Sequence, residues 1–493
     1  MRGMTIADND TSTVGMQKVI ELRCRLAKLD PTRTDLTKIE EDVRAALDEV
    51  GRELMSTAFA AADIDDQEIL VNGELHGKVD RRPVELHTTF GGVKQEQSVY
   101  GRGRGHPTVV PMEKMLGLVE HLYTPKCARV LLHLTAVTVH REAVELLQEF
   151  GGIGVGEATV HRLPLAAMAR YERDRDIIER AVRQRSTVPS EAAIMQVGLD
   201  GVMVPMDGEH CDPRGRETDG DPDPPRHERR YGIVTEPGPA ASDGYQGVAW
   251  HEASVGTISF FDADGDHLST IYVGRMPEEK KATLGETLCD EVLHALEQRP
   301  DLIPVLASDG ALGQWETIAD ITVKMPEAAR SRAVWLLDFF HAAEHLQEAC
   351  DAIDGKGSAR ANVRRHELAE TLKQFPDGVE RVLQRLAHYR RQARSDARRD
   401  RIDAVIGYMQ NNRHRMAYHA AIARNLPIAT GPTEAAAKCL VGTRMKRSGA
   451  RFSQHGGQTV LTLRAALKSA RFGDLFDVLT RGYKGSIKRP RAA

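Results

Sequence analysis

Apolar positions recur at steps of three and four through MQKVIELRCRLAKL (16–29) and IEEDVRAALDEVGRELMSTAFAAA (39–62), which predicts helices across residues 16–65. The pattern then changes. Residues 67–112 carry short alternating runs split by Gly and Pro, which predicts a few small strands. Within them GRGRG (101–105) reads as a flexible turn, although its backbone could also approach phosphates. Residues 113–185 return to helical spacing. There REAVELLQEFGGIGVGEATVHRL (141–163) ends one helix at Phe150, passes a Gly-rich turn and starts another near Glu157, exposing Thr159, His161 and Arg162. That is the layout of a helix-turn-helix, whose second helix enters the DNA major groove. The turn is longer than usual, and a plain helical hairpin fits as well.

From residue 190 the pattern is β and then alternating. IMQVGLDGVMVPMD (194–207) opens with a buried strand, Ile194–Leu199. Residues 208–246 are loop, rich in Pro, Gly and charge. Strands follow at about 248–261 and 268–273, joined by a hairpin turn at Asp264-Gly265. A helix covers 278–298, a buried strand 303–307, a helix the region of Trp315 and Ile318, and an apolar strand 333–338. Three strands, helix, strand, helix, strand is the order of a ribonuclease H-like α/β core, a mixed sheet with flanking helices. Residues 340–425 are helical and arginine-rich, without a strand pattern, and read as an inserted all-α domain. The expected organisation is therefore a helical region (1–66), a β-rich segment (67–112), a helical DNA-binding region (113–189), a catalytic domain (190–339 with 426–472) interrupted by the insertion (340–425), and a basic tail (473–493), mobile over GYKGSIKRPRAA (482–493).

Composition narrows the class. A chain of 493 residues is too long for one core, so two to four domains are expected. The 41% hydrophobic and 28% charged fractions exclude a disordered or membrane protein. No apolar run is long enough to span a bilayer, and MRGMTIADNDTSTVG has no apolar core of a signal peptide. The six cysteines are scattered without a CxxC pair, which argues against a zinc ribbon or a disulfide framework and for a reducing, cytoplasmic setting. The net charge of −4 conceals an asymmetry: from Lys356 onward 29 Lys and Arg face 10 Asp and Glu, against 38 and 61 before it. So basic a C-terminal third suggests a polyanionic partner, most simply nucleic acid, or else a basic face that pairs with the acidic remainder.

Three acids stand at element ends. Asp200 lies on the first strand and Asp309 just past the fourth, and each precedes a Gly that would leave room for metal, water or phosphate. Glu434 lies in the first turn of a helix, with Thr433 as the expected N-cap. Phosphoryl transfer on DNA needs an activated water or 3′-hydroxyl and a stabilised leaving oxygen, which two divalent ions about 3.5–4 Å apart supply. Magnesium takes oxygen ligands and few carboxylates, so three rigidly placed acids suffice. Alone, each acid is better read as a turn residue or a helix-dipole partner; the set and its order favour a metal site. Asp207 is the alternative to Asp200. DADGD (262–266) lacks the Gly and Glu of a calcium loop and reads as a hairpin tip. Asp338 and His341 form a D-x-x-H pair at a strand-to-helix junction; His341 and His345 share a helical face that could hold zinc, but without a cysteine partner the pair reads as capping or as support behind the metal ligands.

With these pieces in place the chain resembles bacterial insertion-sequence DDE transposases of the ISKra type. The matching stretches are LDGVMVP (199–205), WHEASVG (250–256), SDGALGQW (308–315), LDFFHAAEHL (337–346), GPTEAAAKCLVGTRMKRSGARFS (431–453) and LTLRAALKS (461–469). The resemblance implies a ribonuclease H-like domain with a helical insertion before the Glu. It implies a catalytic, metal-binding triad falling on Asp200, Asp309 and Glu434, with Mg2+ or Mn2+. It places Arg444, Lys446, Arg447 and Arg451 in a basic segment that meets DNA phosphate. Terminal inverted repeats and target DNA are the implied partners, a homo-oligomer the implied state on DNA, and the bacterial cytoplasm and nucleoid the implied location. Relatives often carry a cysteine-bearing zinc segment, whereas residues 67–112 hold no cysteine. A non-catalytic DNA-binding protein and a nuclease that cuts without joining are the alternatives.

Overall fold

The computed structural model describes residues 14–28, 35–151, 153–207 and 248–489. They form two compact units, one up to Glu179 together with the chain from Gly473, the other Arg180–Phe472. The expected loop 208–246 lies outside the described residues. Among the described residues no helix is long and apolar enough to cross a membrane.

The first unit opens with helices α1 (Val14–Leu26) and α2 (Leu36–Ala62). Links from Gly15 to Glu53 and from Lys18 to Glu49 set them antiparallel. Strands β1 (Glu68–Val71), β2 (Glu74–Thr88) and β3 (Gly91–Gly101) form a meander longer than the sequence pattern suggests. Phe59, Leu86, Val93, Val99 and Met112 make its core. Helices α3 (Pro111–Leu116), α4 (Pro125–Val137), α5 (His140–Leu146) and α6 (Glu157–Arg173) follow. The tail is not wholly loose: Ile487–Lys488 adds β9 to the sheet, antiparallel to β1, with Ile487 against Ile69 and Tyr100. Helix α7 (Arg175–Arg183) leads into the second unit.

The second unit is built on a five-stranded mixed sheet, β4 (Ile194–Asp207), β5 (Val248–Phe261), β6 (His267–Arg275), β7 (Ile303–Ser308) and β8 (Val334–Leu337), in the order β6-β5-β4-β7-β8. β4, β5 and β6 are antiparallel; β7 and β8 run parallel to β4. β4 is central, which explains its nearly unbroken apolar run. Its odd positions Met195, Val197 and Leu199 join the large core with helices α8 (Ala282–Gln298) and α9 (Leu312–Lys324). Its even positions Val202, Val204 and Met206 pack on the opposite side with Leu440 and Leu461. This alternation puts Asp200 on the second face. β7 pairs with β4 only as far as Gly198, so Pro205, which cannot donate, falls on an open edge that Phe452 covers.

Residues 339–422 form α10 (Phe339–Asp354), α11 (Ala359–Gln374), α12 (Gly378–Gln392), α13 (Asp396–Asn412) and α14 (Tyr418–Ile422). They share the sheet's core: Leu346, Leu368, Leu386, Ile402 and Met409 belong to one apolar cluster with Val197 and Leu306. Helix α15 (Gly431–Ala436) continues through a π-helical turn (Ala437–Gly442), and α16 (Gln454–Lys468) closes the second face.

Candidate active site

Strand register gathers the acids. Every Cα pair of the parallel β4–β7 ladder is 109 residues apart, from Ile194–Ile303 to Gly198–Ala307. Asp200 and Asp309 keep the same separation, two steps beyond the last pair. The β7–β8 ladder has a constant offset of 29, and Asp338 stands at that offset from Asp309. The backbone N–H of Asp338 donates to Ser308 O at 2.8 Å, extending the ladder toward this row. Three aspartates thus form one row just past the parallel pairing, Asp309 and Asp338 at the carboxyl ends of β7 and β8 and Asp200 midway along β4, which runs on to Asp207.

Glu434 reaches the row because residues 428–438 climb the even face of β4 in step with it. Gln196 Nε2 donates to Ala429 O at 2.9 Å. Gly198 faces Thr433 so closely that a Cβ there would overlap Thr433 Oγ1. Thr433 Oγ1 also lies 2.7 Å from Thr257 Oγ1, the strand residue opposite Gly198. One step further, Asp200, Gly201, Val202, Glu434, Lys438 and Lys446 line a pocket of about 270 Å³. The sequence placed the helix cap at Thr433; it is Thr430 instead, and Pro432 in the first turn needs no donor. Thr433 is consequently buried against β4.

Asp338 holds this arrangement. It is fully buried and caps α10, its Oδ1 accepting from His341 N at 2.9 Å. Its Oδ2 accepts from Thr430 N and, at 2.6 Å, from Thr430 Oγ1. One carboxylate therefore ties the start of α10 to the start of the helix that carries Glu434.

Asp309 is held as firmly. Its Oδ1 accepts from Ala311 N at 2.9 Å. The Gln314 amide, turned to satisfy its neighbours, donates to Asp309 Oδ1 at 2.8 Å and to Leu199 O at 3.1 Å, bridging β7 and β4. Gly310 takes φ +106°, a turn that glycine alone adopts without strain. The Tyr408 hydroxyl, its pKa driven up by burial, donates to Asp309 O at 3.0 Å.

Asp200 is half-buried. Burial raises its pKa first, and the charges of Asp309 and Glu434 raise it further; the Gly201 N–H and His341 act the other way. The three acids are thus close enough to repel. Among the described residues, Asp338, His341 and Glu434 are a group whose ligand atoms all lie within 4.8 Å of one another. Asp200 and Asp309 fall outside that group, although Asp200 feels the charges of Asp309, His341 and Glu434; a divalent cation among these carboxylates would relieve their repulsion.

The other expected residues are dispersed. Asp207 is exposed at the far end of β4, its N–H on Phe452 O. Gly201 leaves no room for a ligand on its own side, because the Glu252 carboxylate, held by Lys281 at 2.6 Å, fills it. Lys446 and Arg447 are exposed and Arg451 half-exposed, but Arg444 is only 3% exposed, under the Phe452 ring. Arg444 is therefore not placed to meet a phosphate from solution. In the first unit α5 runs through a π-turn into an extended link before α6. His161 and Arg162 are exposed there, while Thr159 is half-buried and bonds the Tyr123 hydroxyl. Asp262–Asp266 forms the β5–β6 turn, with Asp262 Oδ1 accepting from Asp264 N and Asp266 N.

Sequence reading missed Gln314, Thr430 and Lys438. Gln314 sits inside SDGALGQW and Lys438 inside GPTEAAAKCL, so spacing from Asp309 and Glu434 was the available signal. No family model and no curated protein sequence matches the chain.

Proposed function

We propose that this protein is a DNA transposase whose Asp200, Asp309 and Glu434 form a divalent-metal site for strand cleavage and strand transfer. The observation that carries the reading is the register row of Asp200 and Asp309 with Glu434 brought over it by a dedicated clamp. The strand order β6-β5-β4-β7-β8, with two parallel additions to an antiparallel trio, supports a ribonuclease H-like core.

Bound magnesium or manganese would supply Lewis acidity to the attacking water or 3′-hydroxyl and to the leaving oxygen. The chain supplies position. Gln314 and Ala311 N fix the Asp309 carboxylate, and Asp338 fixes the helix of Glu434. Such pre-set geometry is where most of the rate enhancement in phosphoryl transfer arises. Lys438 and Lys446 on the pocket wall attract the phosphate backbone. The exposed His161 and Arg162 of α6 are the candidates for reading the element's ends, and the basic C-terminal third adds sequence-independent affinity.

The test is one incubation of protein, Mg2+, labelled DNA carrying the gene's own flanks, and a target plasmid. Joined molecules are the expected product. Nicks without joining would favour a nuclease, and binding without any cut a non-catalytic DNA-binding protein.

A further inference from the structure

We propose that His341 is itself a metal ligand, so that the ion beside Glu434 is held by nitrogen as well as oxygen. This rests on the metal-dependent reading above and extends it beyond the three carboxylates. One ligand atom each of Asp338, His341 and Glu434 lies within 4.8 Å of the others. An ion midway between the Glu434 oxygen and the His341 nitrogen stands at most about 2.4 Å from each, so movements of about 0.2–0.4 Å reach the roughly 2.0–2.2 Å of nitrogen and carboxylate bonds to zinc.

Asp338 is the least available of the three. It is fully buried, and its two oxygens already accept three hydrogen bonds. It acts as the anchor. His341 is different: its side chain is 36% exposed, and its Nδ1 lies 3.3 Å from Glu344 Oε2. With the Nδ1 proton directed to that carboxylate, Nε2 keeps a lone pair. A carboxylate behind one ring nitrogen and a metal before the other is how proteins hold ligating histidines. The helix is also braced for the task. One turn on, the His345 ring packs against Tyr408 with centroids 3.8 Å apart and planes tilted by 35°, and the Tyr408 hydroxyl holds Asp309 O. The imidazole is thereby tied to the same frame as the second aspartate.

The ligand chemistry sets a preference. Magnesium takes oxygen and dehydrates reluctantly, whereas manganese and zinc accept imidazole. Manganese therefore binds this position more tightly than magnesium does.

The experiment titrates MnCl2 into the full-length protein and records the electron spin echo of the bound ion. The wild type is expected to show modulation from imidazole nitrogen, and His341→Gln to lose it. Removing the supporting carboxylate, Glu344→Gln, is expected to weaken one Mn2+ by about 10–100-fold. Bound Mn2+ without nitrogen modulation, or modulation unchanged in a folded His341→Gln protein, overturns the assignment and leaves the carboxylate site standing. Should His341→Gln not fold, Glu344→Gln decides: unchanged Mn2+ affinity overturns the proposal. A folded wild type that binds no Mn2+ at all overturns the metal-dependent reading as well.

Discussion

Replacing Gly198 with Ala tests whether close approach of β4 and α15 sets the position of Glu434. The added methyl would overlap Thr433 Oγ1 and stand 3.3 Å from both Thr433 Cβ and Thr257 Oγ1. Thr433 and Thr257 are each 1% exposed, and turning the Thr433 hydroxyl away breaks the 2.7 Å bond between them. Overpacking of this kind costs about 1–3 kcal/mol, and the lost hydrogen bond about 1 kcal/mol more. At about 2–4 °C per kcal/mol for a unit of this size, the melting temperature should fall by roughly 4–16 °C. If α15 instead backs away by about 1 Å, the loss appears in cleavage, by about a hundredfold. Thr433→Ala alone removes the hydroxyl bond together with the buried γ-methyl. The double variant Gly198→Ala, Thr433→Ala removes the overlapping oxygen and should recover most of both quantities. The measurements are calorimetry and single-turnover cleavage on all four proteins of the cycle. An unaltered Gly198→Ala protein, or a double variant as damaged as the sum of the singles, would refute the reasoning.

Three further outcomes follow from the same geometry. Asp338→Asn turns a donor toward Thr430 N and Thr430 Oγ1, so calorimetry should show a loss of about 2–5 kcal/mol from unsatisfied buried groups, with weaker Mn2+ binding. Asp200 has a folded-state pKa raised above the ordinary 3.8, so the fold loses stability as pH climbs from 3.8 through that raised value and stays weaker above it. Asp200→Asn should therefore melt higher than wild type at neutral pH in EDTA, with the gap closing below pH 3.8, and should lose the stabilisation that Mg2+ gives the wild type. Exposed Lys446→Ala should weaken DNA binding across sequences and reduce the salt slope by about 0.9, whereas buried Arg444→Ala should lower the melting temperature and leave that slope unchanged.

Much of the second unit was legible because its central strand is buried on both faces, and such a strand writes a continuous apolar run. The 109-residue spacing of Asp200 and Asp309 stood in the sequence, but it became register only once β4 and β7 were known to pair in parallel. What escaped depends on contacts between distant residues. Thr430 became the cap because Asp338, 92 residues away, accepts its N–H and hydroxyl. Arg444 reads as surface in a basic run, yet Phe452 folds over it. Ile487–Lys488 is too short to announce a strand and owes its place to the free edge of β1. The helices after Phe339 carry an arginine-rich surface that suggests a separate domain, while their apolar stripes merge into the core of the sheet.

The most direct measurement is an anomalous difference map from crystals of the full-length protein soaked in Mn2+. Density bounded by the carboxylates of Asp200, Asp309 and Glu434, absent from Asp309→Ala crystals, is the expected result. An empty pocket in crystals that hold Mn2+ elsewhere, together with undiminished DNA cleavage by Asp309→Ala, would contradict the three-carboxylate site.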